Sequence, residues 1–429
     1  MEQIEEASVT LGGPVGTAAV EEAFLRREAP LTALLADATR LAEACRDMAE
    51  RFRRGGRLLV FGNGAGATDA QHIAVEFVHP VIVGKAALPA LSLVSDAATV
   101  MGVAARSGLE GVYAHQIEVL GRPEDIALGL SGDGSCANVR AGLRAARRAG
   151  LLTVALVGGD GGAICASGTA EHALVLRSED PLVVKEAAVT AYHLLWELVH
   201  VFLESPGAAE GTAPTAGGVE GLYPFLYGGG TDAAPVLEAA AASAREKVHE
   251  ILQLRREVGT AQAPALAACA RDLAAAFEAG ATLLSFGNGG SSTDAQDVAH
   301  TFLDPPGAGR ALPALCLTSD VAVLTALSND VSFEVVFARQ VRAFGRAGDI
   351  ALALSTSGGS ANVLAALEEA RAVGMTTVGL AGYGGGPMAS LSCLDHLFAV
   401  PSSSVHRVQE VQTTVYHVLW EATRDALVR

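Results

Sequence analysis

The stretch Phe286-Gly-Asn-Gly-Gly-Ser-Ser-Thr-Asp294 decides how the chain around it folds. A short apolar run, 283–286, leads into it, and a segment of helical character runs from Asp294 through Phe302. This order predicts a strand, a glycine-rich loop and a helix. Glycines let the backbone approach a ligand closely, and a serine-rich loop before a helix offers N–H groups and hydroxyls to a phosphate. Taken alone, such a loop is equally typical of an ordinary tight turn.

The chain contains this pattern twice. Phe61-Gly-Asn-Gly-Ala-Gly-Ala-Thr-Asp69 has the same form and lies 225 residues earlier. Other shared segments recur at nearly the same distance: Ala87-Leu-Pro-Ala-Leu91 with 311–315, Asp125-Ile-Ala-Leu128 with 349–352, and Tyr192-His193 with Tyr416-His417. A constant spacing over half of the chain indicates a duplication with almost no insertions. The two halves are therefore expected to share one fold, and their residues can be compared position by position.

Each half alternates short apolar runs with helical segments. Strands are predicted at 58–61, 90–94, 126–130, 152–157 and 173–176, and again near 283, 314, 350, 376 and 397. Helices are predicted over 19–54, from 69 onwards, and over 137–149, 184–203, 236–258, 264–279 and 408–427. The alternation is typical of an α/β fold whose parallel sheet is covered on both faces. We predict two tandem domains, each a five-stranded doubly wound parallel sheet flanked by helices, with the leading helices forming a bundle. Ligands of such sheets bind at the carboxyl ends of the strands, where both glycine loops lie.

The predicted domain boundaries follow the composition. Residues 1–18 read as a loose tail, and residues 206–233 are rich in Gly, Ala, Pro and Thr, as linkers are. The first domain is therefore predicted over 19–205 and the second over 234–429. A chain of 429 residues is long enough for two domains of about 200 residues, each with its own core.

Composition and charge exclude several classes of protein. Half of the residues are hydrophobic and only 18% are charged, which is typical of a globular chain. The net charge of −17 argues against nucleic-acid binding through phosphate neutralisation. No apolar run reaches the roughly 20 residues of a membrane helix, and the acidic start MEQIEEASVT lacks the features of a signal peptide. Six scattered cysteines without a CxxC spacing indicate a reducing compartment. A cytoplasmic protein is expected.

An ordered set of motifs connects the chain to a known family. The motifs are Gly287-Asn-Gly-Gly-Ser291, Asp294-Ala-Gln296, Leu317-Thr-Ser-Asp320, Phe337-Ala-Arg-Gln340, Ser355-Thr-Ser-Gly-Gly-Ser360 with Asn362-Val363, and Arg407-Val-Gln-Glu410 with His417. With them, each half resembles the sugar isomerase (SIS) domain, and more specifically the phosphoheptose isomerases. The resemblance implies an aldose–ketose isomerase that converts sedoheptulose 7-phosphate to D-glycero-D-manno-heptose 7-phosphate through an enediol. The SIS fold also occurs in non-catalytic regulators, so the motifs indicate family more strongly than activity.

The resemblance implies a phosphate pocket in the second half only. The pocket residues are Ser291, Ser355, Thr356, Ser357 and Ser360. Their first-half counterparts are Gly66, Ser131, Gly132, Asp133 and Cys136, and an aspartate in this place would repel a phosphate. The serine run 355–360 is also compatible with a polar turn and a helix cap.

The metal pair implied by the resemblance survives in the first half only. His72 and Glu76 are four residues apart and share a helix face, and both are common Zn²⁺ ligands. Outside this motif, they would read as an ordinary solvated pair. The second half has Asp297 and Thr301 in these positions.

After the phosphate pocket and the metal pair, the closing helix carries the third group of site residues that the resemblance implies. The second half keeps Gln409 and His417, whereas the first half has Lys185 and His193 in the same positions. His193 is equally compatible with a core histidine, and its role stays open. Neither half carries a complete site, which predicts one composite site. Phosphate would bind to the second half, while His72 and Glu76 reach across to Gln409 and His417 to hold Zn²⁺.

Further roles follow from the resemblance. Glu76 is the expected base and His417 the expected acid, while Asn288 and Asp320 match positions that contact the sugar hydroxyls. Relatives of one domain form tetramers, so two tandem chains are expected to form a homodimer with four SIS domains. The alternative function is a sugar-phosphate-binding regulator without turnover. Metal content would distinguish the two, because a regulator has no need of the ligands.

Overall fold

The computed structural model describes residues 16–82, 84–204, 233–307 and 309–427. Most of the predicted tail and linker lies outside these ranges. The described part of the first half contains α1 (Thr17–Leu25), α2 (Glu28–Ala36), α3 (Ala38–Arg53), β1 (Leu58–Gly62), α4 (Ala65–Val78), β2 (Ala90–Ser92), α5 (Ala97–Ser107), α6 (Val112–Leu120), β3 (Ile126–Ser131), α7 (Ala137–Arg148), β4 (Leu152–Gly158), α8 (Gly162–Ala166), β5 (His172–Leu176) and α9 (Pro181–Glu204). The second half contains α10 (Ala233–Glu278), β6 (Leu283–Gly287), α11 (Gly290–Leu303), β7 (Ala314–Cys316), α12 (Val321–Asp330), α13 (Val336–Phe344), β8 (Ile350–Ser355), α14 (Ala361–Val373), β9 (Thr376–Ala381), β10 (His396–Ala399) and α15 (Val405–Leu427).

The two sheets have the same topology. The first has the strand order β2-β1-β3-β4-β5, and the second has the equivalent order β7-β6-β8-β9-β10. All the strand pairs are parallel, and matching residues pair in both halves: Leu58 lies opposite Ile126, and Leu283 lies opposite Ile350. The strands β1, β3, β6 and β8 are buried throughout, as strands covered on both faces should be. The predicted fold, two tandem five-stranded parallel sheets flanked by helices, is confirmed.

Helices of each half pack into the core of the other half. Helix α1 packs into the core of the second half through Val20 and Phe24. In exchange, the start of α10 packs into the core of the first half through Ala244 and Val248. Gly259 of α10 shows how close this packing is, because an added Cβ would lie 2.7 Å from the Phe24 ring. The closing helices α9 and α15 lie between the two sheets and are buried along most of their length.

Helix α10 differs from the sequence prediction. Two helices were expected, over 236–258 and 264–279, but one helix runs through both and contains Pro264. A proline within a helix removes one backbone hydrogen bond. Packing compensates for that loss here, since Ala263 and Leu266 on either side of it are fully buried. The short helices α5, α6, α8, α12 and α13 were not predicted at all.

The glycine loops are shorter than predicted. Helix α11 begins at Gly290 and α4 at Ala65, about one turn before the aspartates that were expected to begin them. In both loops the preceding glycine has a φ of 55°, which glycine adopts without strain. The small residues of each loop therefore form the first helical turn, with their N–H groups at the carboxyl end of the sheet.

Candidate active site between the two halves

Four side chains from both halves meet in one buried cluster. His72 and Glu76 of α4 and His193 of α9 have ligand atoms that all lie within 4.8 Å of one another. Gln409 of α15 joins them from the second half, with its Nε2 3.2 Å from His72 Nε2. All four side chains are at least 98% buried. The predicted meeting of His72 and Glu76 with Gln409 is therefore present in the structure.

The secondary structure accounts for this meeting. His72 and Glu76 lie one helical turn apart on α4. The Trp196 indole on α9 donates a 2.8 Å hydrogen bond to the Glu76 carbonyl, and thereby holds α9 against α4. Helix α11 packs on α4 from the other half, and its first residue, Gly290, touches the cluster directly. A Cβ added to Gly290 would lie 2.1 Å from Gln409 Nε2 and 2.7 Å from His72 Nε2.

Gly290→Ala is expected to disrupt the cluster. Alanine favours a helix over glycine by about 0.5–1 kcal/mol, so the fold should tolerate the change. Its methyl group would displace Gln409 and His72, and we expect metal affinity to fall by about 10- to 100-fold. Metal titration and a thermal melt of the variant check this. The natural control is position 65, where the first half already has alanine: Ala65→Gly should leave metal affinity unchanged. An unchanged affinity in Gly290→Ala would contradict the steric argument.

The donor set of the cluster suits a metal ion. His193 Nδ1 lies 2.9 Å from Glu410 Oε1, an arrangement that places the proton on Nδ1 and leaves the Nε2 lone pair free. Neither His193 Nε2 nor Gln409 Oε1 has a hydrogen-bond partner among the described residues, although both are buried. Half a turn of the Gln409 amide would direct Oε1 at the cluster. Buried polar atoms without partners are rare, and imidazole and carboxylate are usual Zn²⁺ ligands.

The protonation states also fit metal binding. Burial lowers the pKa of His193 well below its usual value, and the neighbouring His406 and His72 lower it further. For Glu76, burial raises the pKa, but the hydrogen bond with His406 and the nearby His72 outweigh that effect and lower it overall. The cluster thus combines a neutral imidazole with an ionised carboxylate, as metal coordination requires.

His417 does not belong to this cluster, which corrects the sequence prediction. Its Nδ1 lies 2.9 Å from Glu186 Oε1, and its Nε2 lies 3.3 Å from Asp297 Oδ2. Burial disfavours a charge on His417, but the hydrogen bonds to Asp297 and Glu186 outweigh it and raise its pKa. A histidine held between two carboxylates has both ring nitrogens engaged. The position predicted for it beside His72 is taken by His193.

His406 is a residue of the cluster that the sequence analysis missed. Its Nε2 lies 3.2 Å from Glu76 Oε2, and its Nδ1 lies 3.0 Å from Glu197 Oε1. Its ring stacks on His193, with the centroids 4.5 Å apart. The first half has Leu182 in the same position. That difference between the halves was the available signal, and His406 now connects Glu76 to a second carboxylate.

The predicted phosphate loop lies at the carboxyl end of the second sheet. Strands β6 and β8 are neighbours, so Gly287 pairs with Leu354 and the loops that follow them lie side by side. Ser355 Oγ lies 3.1 Å from Ser360 Oγ, and Ser357 Oγ accepts a 3.2 Å hydrogen bond from the Gly359 N–H. The five predicted phosphate residues lie at this edge of the sheet: Ser291 in the first turn of α11, Ser355 at the end of β8, and Thr356, Ser357 and Ser360 in the loop after β8.

In the first half, the side chain of Asp133 occupies the loop that corresponds to the predicted phosphate loop. Asp133 Oδ1 accepts a 2.8 Å hydrogen bond from the Ser135 N–H and lies 3.2 Å from Ser131 Oγ. The carboxylate therefore engages donors that a phosphate would need. This geometry agrees with the predicted loss of phosphate binding in the first half.

Asn288 and Asp320 have local partners in the structure. The amides of Asn288 and Asn362 form a reciprocal pair at 2.8 and 2.9 Å, which joins the two loops. Asp320 is exposed and caps α12, accepting hydrogen bonds from the Ala322 and Val323 N–H groups at 2.9 and 3.0 Å. Their predicted contact with a sugar stays a prediction.

Comparisons with known proteins find similar sequences for both halves of the chain. A family profile described as SIS domain matches residues 29–158 and 248–382. The phosphoheptose isomerase of Roseiflexus sp. (strain RS-1) is 43% identical over 183 residues, which are 42% of this chain and 92% of that protein. The phosphoheptose isomerase of Desulfovibrio desulfuricans is 46% identical over 172 residues, 40% of this chain and 81% of that protein. Each of these relatives thus matches about two fifths of the chain.

A solved structure resembles this chain in fold. The C-terminal domain of glucosamine-fructose-6-phosphate aminotransferase from Francisella tularensis aligns with 98% of this chain and 98% of its own, with a TM-score of 0.61. The identity is 10%, so the likeness concerns the fold alone. Among the described residues, no helix has the length and apolar character needed to cross a membrane.

Proposed function

Since this chain belongs to the SIS domain family, we propose that it is a sugar-phosphate isomerase with one active site between its halves. The finer proposal is that it converts sedoheptulose 7-phosphate to D-glycero-D-manno-heptose 7-phosphate. The observation that carries it is the meeting of His72, Glu76 and His193 from one half with Gln409 and Gly290 from the other.

The second half would bind the phosphate of the substrate. The loop over 355–360 and the start of α11 offer hydroxyls and N–H groups at the carboxyl ends of adjacent strands. Because Gly290 lies against both Gln409 and His72, a sugar held here by its phosphate can extend towards the cluster. Binding at one end would thus position the carbonyl end for reaction.

Glu76 would move the proton in the isomerisation. Its oxygens face different partners: Oε1 lies 3.6 Å from His72 Nε2, and Oε2 lies 3.2 Å from His406 Nε2. We propose that Glu76 takes the proton from C1 or C2 and returns it to the other carbon of the enediol. A Zn²⁺ ion, held by His72, Glu76, His193 and Gln409, would polarise the carbonyl and stabilise the negative charge that develops on its oxygen.

The first test combines metal analysis with an assay on sedoheptulose 7-phosphate, using one sample of the full chain. We expect about one zinc per chain together with turnover. Loss of both in His72→Ala, with sugar-phosphate binding retained, would support the composite site. A chain without metal or turnover that still binds the sugar phosphate would instead be a regulator, and the proposal would be wrong.

Ser357→Asp is expected to weaken phosphate binding strongly. The change copies Asp133 of the first half, whose carboxylate engages the donors of its own loop. Losing one charge-assisted hydrogen bond costs about 1.5–3 kcal/mol, so the Kd for the sugar phosphate should rise by about 10- to 100-fold. Calorimetric titration measures this Kd. The reciprocal change Asp133→Ser should leave it unaltered, and an equal effect of both changes would contradict a phosphate site confined to the second half.

We also propose that two chains form a homodimer with four SIS domains. Several large apolar side chains are more than half exposed around α5, α6, α12 and α13, which favours a partner surface there; these residues are Met101, Leu109, Val119, Val321, Phe333 and Phe344. Sedimentation analysis at several concentrations would detect the dimer, and a monomer at all of them would contradict it.

A further inference from the structure

The duplication creates a second cluster opposite the first. Position by position, Asp297 and Thr301 of α11 correspond to His72 and Glu76, and His417 of α15 corresponds to His193. Lys185 of α9 corresponds to Gln409 and enters from the other half, as Gln409 does at the active site. We call this set, Asp297, Thr301, His417 and Lys185, the duplicated site.

Lys185 forms the centre of the duplicated site. Its Nζ donates a hydrogen bond to Asp69 Oδ1 and lies 3.9 Å from Asp297 Oδ2. It also lies 3.4 Å from Thr68 Oγ1. The side chains of Lys185, Asp69 and Asp297 are at most 3% exposed. The ammonium group is therefore held between carboxylates from both halves, in the protein interior.

The duplicated site adjoins a cavity, but it lacks several of the polar side chains that surround the active site. A cavity of about 200 Å³ adjoins Lys185, Asp69 and Thr301. Four of its lining residues are aliphatic or glycine, where the second half has a group with polar atoms: Gly66 for Ser291, Gly132 for Thr356, Leu182 for His406 and Ala188 for Gln412. At these four positions, this side therefore lacks side chains that could bind a phosphate or orient a carboxylate.

We infer that Lys185 is a built-in cation that takes the place of the metal ion at the duplicated site. The chain therefore binds one metal ion, although its fold offers two equivalent positions. This inference rests on the proposed function, because the metal at the active site is itself proposed. The physical reason is charge balance: buried carboxylates require a nearby cation. A fixed ammonium group that donates a hydrogen bond to Asp69 and lies 3.9 Å from Asp297 Oδ2 repels a divalent ion at the same point.

The test compares variants that differ only at Lys185. D297H/T301E gives the duplicated site the histidine and glutamate of the active site while Lys185 remains. K185Q/D297H/T301E also restores the glutamine, so that all four ligand types are present. We expect one zinc per chain in the wild type and in D297H/T301E, and two in K185Q/D297H/T301E. Elemental mass spectrometry after dialysis counts the metal, and circular dichroism melts show that each variant folds.

The reciprocal change tests the same idea at the active site. Q409K places an ammonium group beside His72 and Glu76, and we expect its zinc content to fall from one per chain to none. If the triple variant does not fold, the zinc contents of Q409K and of the wild type still test the inference. Retention of zinc by Q409K would overturn the inference, as would two zinc ions in the wild type or in D297H/T301E. An equal zinc content in D297H/T301E and in a folded K185Q/D297H/T301E would also overturn the inference.

The proposed function and this inference can fail separately. A wild type without zinc would contradict the proposed metal at the active site. In that case, a gain of one zinc by K185Q/D297H/T301E over D297H/T301E would still support the role of Lys185, and the absence of that gain would overturn it.

Discussion

Replacing His193 by asparagine is expected to abolish the proposed metal binding and isomerase activity, whereas His417→Asn should keep both. His193 Nε2 is buried without a hydrogen-bond partner among the residues that the structure describes, and it faces His72 and Glu76. Since changes to residues that only orient a ligand cost about 10- to 100-fold in metal affinity, the loss of His193 itself should cost more than about 100-fold.

His417 has a different, structural role, although its position in the second half is equivalent to that of His193 in the first. It hydrogen-bonds Glu186 and Asp297, two buried carboxylates. Removing one partner of a buried ion pair destabilises a protein by about 3–5 kcal/mol. We therefore expect His417→Asn to lower the melting temperature while the zinc content of the folded protein stays at that of the wild type.

Metal analysis, turnover and calorimetric melting of both variants distinguish the two roles. The variants form a matched pair, because each removes the histidine at the same position of a closing helix. If His417→Asn folds but loses zinc, while His193→Asn keeps it, then the assignment made from the structure is wrong and the assignment made from the motifs is right.

The error over His417 has a geometric origin. The motif Arg407-Val-Gln-Glu410 with His417 was read as one functional unit of the closing helix. Gln409 and His417 are eight residues apart, which is about 12 Å along a helix at 1.5 Å per residue. They therefore serve different clusters on α15: Gln409 contacts His72 and His417 contacts Asp297. Motif order cannot reveal this division, because it depends on how the two halves pack.

Other features were accessible from the sequence for equally physical reasons. The strands are short apolar runs bounded by loops, so their positions follow from local composition. His72 and Glu76 share a helix face because of their spacing, and the missing pieces in each half indicated a shared site. The exchange of α1 and the start of α10 between the cores could not be predicted, since apolar periodicity shows that a face is buried but not what buries it.

The second large effect concerns Glu76. Glu76→Gln keeps the shape of the side chain but removes its capacity to accept a proton. General-base catalysis contributes about 10²- to 10⁴-fold to the reaction rate. We therefore expect kcat to fall by at least about 100-fold. The phosphate-binding loop at the second sheet is unchanged in the variant, so the Kd for a sugar phosphate should stay close to that of the wild type.

Proton exchange separates this chemical role of Glu76 from a purely structural one. In deuterated water, a base that moves the proton between C1 and C2 exchanges it with solvent, and NMR follows the label at these carbons. Glu76→Gln should abolish the exchange even where it retains zinc. Thr301→Val, at the corresponding position of the duplicated site, is the matched control and should exchange at the wild-type rate. Exchange by Glu76→Gln at that rate would assign the base to another residue, because an amide cannot accept the proton.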